Sequence, residues 1–154
     1  MFKKRALTPL DAGACAVLYG ACFSKAWRQD EFLSLLSTSQ VWAEGIFCQG
    51  DLVAALLAVR AQENADIITL MTNPSFRRKR LAYRLLKSFL EGFFATKGEV
   101  CFLEVSINNE KAISLYSSFN FNKCGVRKNY YKKSDKKEDA VVMRLASFQK
   151  KQKM

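Results

Sequence analysis

The chain has 154 residues, with 25 Lys or Arg against 14 Asp or Glu, and so a formal charge of +11 at neutral pH. An apolar share of 49% and a charged share of 25% exclude a disordered chain and suit one domain with an ordinary core. Histidine is absent, which excludes Ser-His-Asp and Cys-His triads and every His-ligated zinc site, leaving acid–base work to Asp, Glu, Tyr, Lys, Cys or water.

No apolar run approaches the ~18 residues that a membrane helix needs. The opening MFKKRALTPL carries positive charge but no apolar segment or small-residue cleavage site after it, so no signal peptide is expected and the cytoplasm is the expected compartment. The cysteines (Cys15, Cys22, Cys48, Cys101, Cys124) are odd in number and form no Cys-x-x-Cys pair, which reads as buried free thiols. The positive charge favours polyanionic partners without choosing among nucleic acid, an acidic membrane surface and a phosphate-rich ligand.

In chain order, Phe2 to Leu7 reads as a first strand. Thr8-Pro9-Leu10-Asp11 reads as a helix start, with Thr8 as cap, Pro9 in the first turn and Asp11 complementing the helix dipole; Ala14, Val17, Leu18 and Ala21 follow at helical spacing. After a turn near Trp27, Asp30 to Leu36 forms a short helix with Phe32, Leu35 and Leu36 on one side. Val41–Cys48 and Leu52–Ala61 are strands joined at Gln49-Gly50-Asp51, and Asp66–Thr72 is a third strand beyond a turn near Glu63-Asn64. The strongest helix spans Leu81 to Thr96, where Leu81, Leu85, Leu86, Phe89, Leu90, Phe93 and Phe94 make an apolar stripe that ends at Gly98. A strand over Val100–Val105 and a helix over Asn109–Phe119 follow, with Asn120 suited to a left-handed position after that helix. Phe121–Tyr131 and Ala140–Leu145 form a last hairpin around a charged tip, Lys132 to Asp139. The order β-α-α-β-β-β-α-β-α-β-β predicts one α/β domain over 1–146, followed by a basic, mobile tail over 147–154.

Two stretches carry chemistry. In CFLEVSINNEKAISLY, Glu104 sits among Phe102, Leu103 and Val105 at the end of a strand, and Tyr116 lies on the helix that leaves it. A carboxylate and a phenol so placed can face one cleft from opposite sides, one taking a proton and the other returning one. Each alone also has a plainer reading, Glu104 as an end-of-strand surface carboxylate and Tyr116 as a core aromatic. In the second stretch, Arg77-Arg78-Lys79-Arg80 lies between a strand and the start of a helix, where unpaired N–H groups and the helix dipole favour an anion. Cations there oppose the dipole by ~0.3–1 kcal/mol each. A polyphosphate ligand would offset that cost; a solvated basic face or a nucleic-acid patch is the alternative.

Three ordered blocks resemble the GCN5-related N-acetyltransferase family. Arg77-x-x-Arg80-x-Ala82 is similar to its acyl-CoA loop, Arg/Gln-x-x-Gly-x-Gly/Ala. Leu103-Glu104-Val105, Asn109, Ala112, Leu115-Tyr116 and Phe121 are similar to its LEV…N..A..LY….GF run. Arg127-Lys128-Asn129-Tyr130-Tyr131 and Glu138-Asp139-Ala140 resemble the R-x-NYY and EDA of the RimI group, whose acceptor is the N-terminal alanine of ribosomal protein S18; Trp27 lies in a loop resembling that group's PWS. The resemblance implies a single mixed, mostly antiparallel sheet of about seven strands with about four helices on its faces. It implies acetyl-CoA as co-substrate, no metal, and a protein N-terminus as acceptor, with S18 and a setting near the ribosome or RNA expected. A monomer is the expected state.

By the same resemblance, backbone groups of Leu70, Met71 and Thr72 would hold the acetyl-pantetheine arm, one N–H polarising the thioester carbonyl. Arg77, Arg78, Lys79, Arg80, Leu81, Ala82 and Tyr83 would cradle the pyrophosphate, and Asn109 would bond the pantetheine. Glu104 would take the amine proton and Tyr116 would protonate the leaving thiolate. An N-terminal amine, with a pKa of about 8, is mostly protonated at neutral pH and needs such a base, for which a carboxylate between apolar walls is suited. The chain departs from the family pattern where Arg80 and Asn120 replace glycines, and retained cofactor binding is expected. The alternatives are a catalytically impaired RNA- or ribosome-binding relative and an acetyltransferase for a different amine. The Lys132–Lys137 tip reads as a solvated turn, or as a steering element toward an RNA-rich neighbourhood.

Overall fold

The computed structural model describes residues 1–24, 27–133 and 136–147, the side chains at 129–133 and 136–137 excepted. Seven strands form one sheet: β1 (Phe2–Ala6), β2 (Val41–Cys48), β3 (Asp51–Ala61), β4 (Asn64–Thr72), β5 (Val100–Ser106), β6 (Asn122–Lys133) and β7 (Lys136–Ala146), in the order β1-β2-β3-β4-β5-β7-β6. Among the described residues only β4 and β5 pair in parallel; their crossover carries the long helix α3 (Leu81–Ala95). Helices α1 (Ala12–Cys22), α2 (Gln29–Leu36) and α4 (Glu110–Ser118) complete the expected mixed α/β architecture.

The sheet separates two cores. On one face α3 and α4 bury Leu81, Leu85, Leu86, Phe89 and Phe93 against Ile46, Leu56, Ile67, Leu103 and Met143. On the other, α1 and α2 bury Cys15, Leu18, Phe32 and Leu36 against Ala43, Ala55, Leu57 and Met71. β3 is central and buried on both faces, which explains its nearly unbroken apolar run.

Several local expectations are revised. Thr8 caps as read, and Asp11 closes a reciprocal capping box, but Pro9–Asp11 forms a 3-10 turn before α1 begins at Ala12. Beyond α3 it is Lys97, at φ 68°, that turns left-handed. Gly98 is needed for close approach instead: its N–H donates to the Phe93 carbonyl at 2.9 Å, and a Cβ on it would lie 2.5 Å from that oxygen. Asn120 takes φ 71°, as its position required. The last hairpin is longer than expected, because β6 and β7 extend through most of the predicted tip. The tail beyond Ser147 lies outside the described residues.

Candidate active site

β4 and β5 stay together for only four residue pairs, from Asn64↔Val100 to Ile67↔Leu103. Past that point β4 continues to Thr72 on β3, while β5 continues to Ser106 on β7. A gap therefore opens inside the sheet, edged by main-chain groups that have lost their neighbour across it.

A bulge marks the parting. On β3 the partners jump from Ala58↔Ile67 to Leu57↔Thr69, so Ile68 has no partner. The extra residue exchanges the faces of β4. Ala65 and Ile67 pack into the α3–α4 core, whereas Met71 packs into the α1–α2 core and Leu70 turns toward α3 and α4. Ile68 itself is 42% exposed. It lines a shallow cleft of about 510 Å³ with Trp27, Asp30, Glu31, Ser34 and Leu35. Trp27 thus serves packing and cleft together, with its ring 4.6 Å from that of Phe32 and 5.5 Å from that of Tyr19.

The loop of cations closes the α3 side. Arg78 and Arg80 both adopt left-handed backbone, at φ 65° and 60°. Such a conformation costs a non-glycine residue about 1–2 kcal/mol. Arg80 is the residue that precedes α3, and no side chain among the described residues caps the helix. The first-turn N–H groups of Leu81, Ala82 and Tyr83 thus remain free for a ligand, beside Arg77, Arg78, Lys79 and Arg80. The Arg80 guanidinium lies 4.3 Å over the Tyr83 ring, and Tyr83 in turn packs 5.0 Å from Phe119. Arg80 thereby takes up the backbone that the missing glycine would have supplied, and its charge is held at the helix mouth.

Glu104 and Tyr116 reach the region from opposite faces. Leu103 and Val105 point into the α3–α4 core, so alternation sends Phe102, Glu104 and Ser106 to the other side of β5, beyond the cover of α1 and α2. Tyr116 is buried at 6% exposure on α4, its ring 5.7 Å from Phe121. Glu104 meets a cation that had not been expected beside it. Arg127 Nη1 donates to Oε1 at 2.8 Å and to Oε2 at 3.0 Å, and the Glu104 side chain keeps 30% exposure. Asp66, on β4, is near enough that the Glu104 charge acts on it. Burial first, and Glu104 second, push the Asp66 carboxyl above the usual carboxylate range. Asn109 caps α4, its Oδ1 accepting from the Ala112 N–H at 3.2 Å, which leaves its amide N–H groups for a ligand.

Three contributors to this region had no role assigned from the sequence: Asp66, Arg127 and Cys22. Asp66 was visible as the lone charge in DIITLMT. Arg127 belonged to a quoted motif but pointed to no partner. The Cys22 thiol donates to the Thr72 carbonyl at 3.2 Å, a long-range contact without a sequence signature. All five thiols are free, but only Cys15 and Cys101 are buried, and burial pushes both up to about 12; Cys124 is exposed. No grouping of His, Cys, Asp and Glu suited to a metal ion occurs among the described residues, and no helix among them is long and apolar enough to cross a membrane.

A sheet parted beside a parallel pair, with an uncapped basic helix mouth on one side, is the framework of an α/β protein that can seat a phosphate-bearing ligand between its strands. Residues 13–121 match the acetyltransferase (GNAT) family, and the chain belongs to that family. The [ribosomal protein bS18]-alanine N-acetyltransferase of Escherichia coli strain K12 is 30% identical over 96 residues, covering 62% of this chain. The chain thus spans 65% of the length of that relative. The N-alpha-acetyltransferase RimI of Mycobacterium tuberculosis is 31% identical over 148 residues, covering 92% of this chain and 90% of that protein. The crystal structure of the ribosomal-protein-S18-alanine N-acetyltransferase from Escherichia coli superposes with a TM-score of 0.89 at 25% identity, covering 95% and 94% of the two chains. The same fold occurs in Arabidopsis thaliana NAA60 in complex with acetyl-CoA, at a TM-score of 0.83 and 13% identity, covering 95% of this chain and 98% of that one.

Proposed function

We propose that this protein transfers the acetyl group of acetyl-CoA to the α-amine of a protein N-terminus, with the N-terminal alanine of ribosomal protein S18 as acceptor. The observation that carries the reading is the β4–β5 gap, with an anion-seeking helix mouth toward one face and Glu104 on the other. The names of the relatives support the acceptor class, and the family supports the acyl donor.

Bound in the gap, acetyl-CoA supplies an acetyl thioester. The N–H groups of Leu81 to Tyr83 and the side chains of Arg77 to Arg80 hold the pyrophosphate by charge-assisted hydrogen bonds. Main-chain groups of Leu70, Met71 and Thr72 bond the arm that β5 no longer reaches, and one N–H stabilises the charge that gathers on the thioester oxygen. The free N–H groups of the Asn109 amide bond the arm near its midpoint. Glu104 accepts a proton from the α-ammonium, freeing the nitrogen lone pair to form the N–C bond. As the C–S bond breaks, the electron pair goes to sulfur and the Tyr116 hydroxyl donates a proton there; the second proton, which the nitrogen sheds on becoming an amide, passes to solvent, and solvent restores the phenol. This chemistry runs without a metal, in the cytoplasm where ribosomal proteins are made.

The RNA-binding alternative drew on Arg80. Its left-handed backbone and its stacking on Tyr83 instead favour a working phosphate loop. Thermal denaturation with CoA separates the two. A hundredfold excess over the dissociation constant adds ~2.7 kcal/mol to a CoA-binding protein. An unmoved melting temperature at every CoA concentration, alongside salt-sensitive RNA binding, is the result the alternative requires.

A further inference from the structure

We propose that Asp66 is a second acceptor-binding carboxylate, which together with Glu104 holds the protonated α-amine of the acceptor at the α1–α2 mouth of the β4–β5 gap. This rests on the N-terminal acetyltransferase reading and adds a residue and a charge requirement to it.

The register puts the two carboxylates on one face. Asp66 pairs with Phe102 across the parallel ladder, and Glu104 lies two residues further along the same side of β5. Strands ~4.8 Å apart with ~3.3 Å rise per residue place the two Cα atoms about 8 Å apart. Two carboxylate side chains can span that distance with one ammonium between them. Asp66 comes just before the point where β4 and β5 part, and Ile68 next along β4 lines the cleft with Trp27. The Asp66–Glu104 pair therefore stands where a chain end lying in that cleft would enter the gap.

Charge supplies the independent argument. Glu104 is matched by Arg127, whereas the Asp66 carboxylate makes no hydrogen bond or ion pair among the described residues. Arg144 on β7, opposite Phe102, lies on the same face, but among the described residues neither it nor Arg127 is ion-paired with the Asp66 carboxylate, in a chain whose formal charge is +11. Like charges this close are unfavourable unless a cation or a proton joins them. The upward push on the Asp66 carboxyl reports that repulsion in part. A primary ammonium supplies the missing cation and three N–H donors, enough for both carboxylates with one to spare. Glu104 is then fixed in place by Arg127, and Asp66 anchors the amine beside it.

The test measures binding of two peptides with the same alanine-first sequence to the CoA-loaded protein, one with a free α-amine and one N-acetylated. The wild-type protein binds the free amine more tightly. Asp66→Asn, nearly isosteric, lowers that preference about tenfold or more, as loss of a charge-assisted hydrogen bond does. Asp66→Glu restores it, and CoA affinity stays unchanged throughout. Asp66→Ser takes the place of the amide variant if the latter does not fold. An undiminished preference in Asp66→Asn, or no preference in the wild type, overturns the proposal. Acetyl transfer that proceeds while the variant keeps its preference removes Asp66 alone. An Asp66-dependent preference without any transfer removes the acetyltransferase reading and leaves Asp66 as an amine ligand.

Discussion

Glu104, the proposed base, is held in place by a single partner among the described residues. One Arg127 nitrogen bonds both of its oxygens, which fixes the carboxylate plane while 30% of the side chain stays open to an incoming amine. Glu104→Gln keeps the shape and removes the proton acceptor. Its turnover is expected to fall by ~10²–10⁴-fold with CoA affinity unchanged, as is that of Tyr116→Phe. Initial rates beside CoA binding test both, and unchanged turnover removes the role from that residue. Arg80→Gly restores the family residue. It relieves left-handed strain but forfeits the guanidinium over Tyr83, so CoA affinity drops modestly and becomes less salt-dependent while the fold persists. Titration calorimetry at two salt concentrations reads this out, and an unchanged salt slope would mean that Arg80 does not meet phosphate. At this scale the sequence was partly legible. Glu104 and Tyr116 stood out by their placement on a strand end and the following helix, and Asn109 only through the resemblance to a family motif, whereas the Glu104–Arg127 pair depends on the order in which β5, β7 and β6 lie, which no local pattern encodes.

Each helix is delimited by its ends as much as by its stripe. α3 begins after two strained arginines and ends in a left-handed lysine with Gly98 pressed on the Phe93 carbonyl. The stripe was evident from leucine and phenylalanine spacing; the left-handed turns at Arg78 and Lys97 were hidden because neither residue favours them. The Ile68 bulge was hidden too, since DIITLMT shows no sign of its extra residue until its pairing with β3 is known. The entry to α1 carries a pH prediction. Hydrogen bonds from Arg5 and the Thr8 N–H hold the Asp11 carboxyl below its usual range, against the opposing effect of burial. A carboxyl depressed in the folded state contributes stability that is complete above its unfolded pKa of about 3.9, and is lost as pH falls through the lower folded value. Denaturant melts from pH 6 to pH 2 are therefore expected to show a loss in the wild type that is reduced in Asp11→Asn. Equal slopes in the two proteins would contradict it.

At the scale of the whole molecule, cations gather at the helix mouth and several carboxylates lie toward the other face of the gap. The formal charge is +11, and the helix mouth at Arg77 to Arg80 concentrates cations where a polyphosphate fits. Toward the other face Asp30 and Glu31 line the Trp27–Ile68 cleft, and Asp66 and Glu104 lie on β4 and β5, with Arg28 paired to Asp30 and Arg127 to Glu104. An anionic donor and a cationic acceptor would thus be drawn to different mouths of one gap. The strand and helix order was legible from periodicity and turn residues, because each element buries one face and shows its period. The gap was not legible, because it arises where two parallel strands cease to pair, and the residues on either side keep an ordinary strand pattern. Acetylation of purified ribosomal protein S18, mapped by fragment mass spectrometry after incubation with acetyl-CoA, tests the account most directly. It predicts a single acetyl group on the α-amine of the N-terminal alanine, lost in Glu104→Gln; an unmodified N-terminus, or acetyl groups confined to lysine side chains, would contradict it.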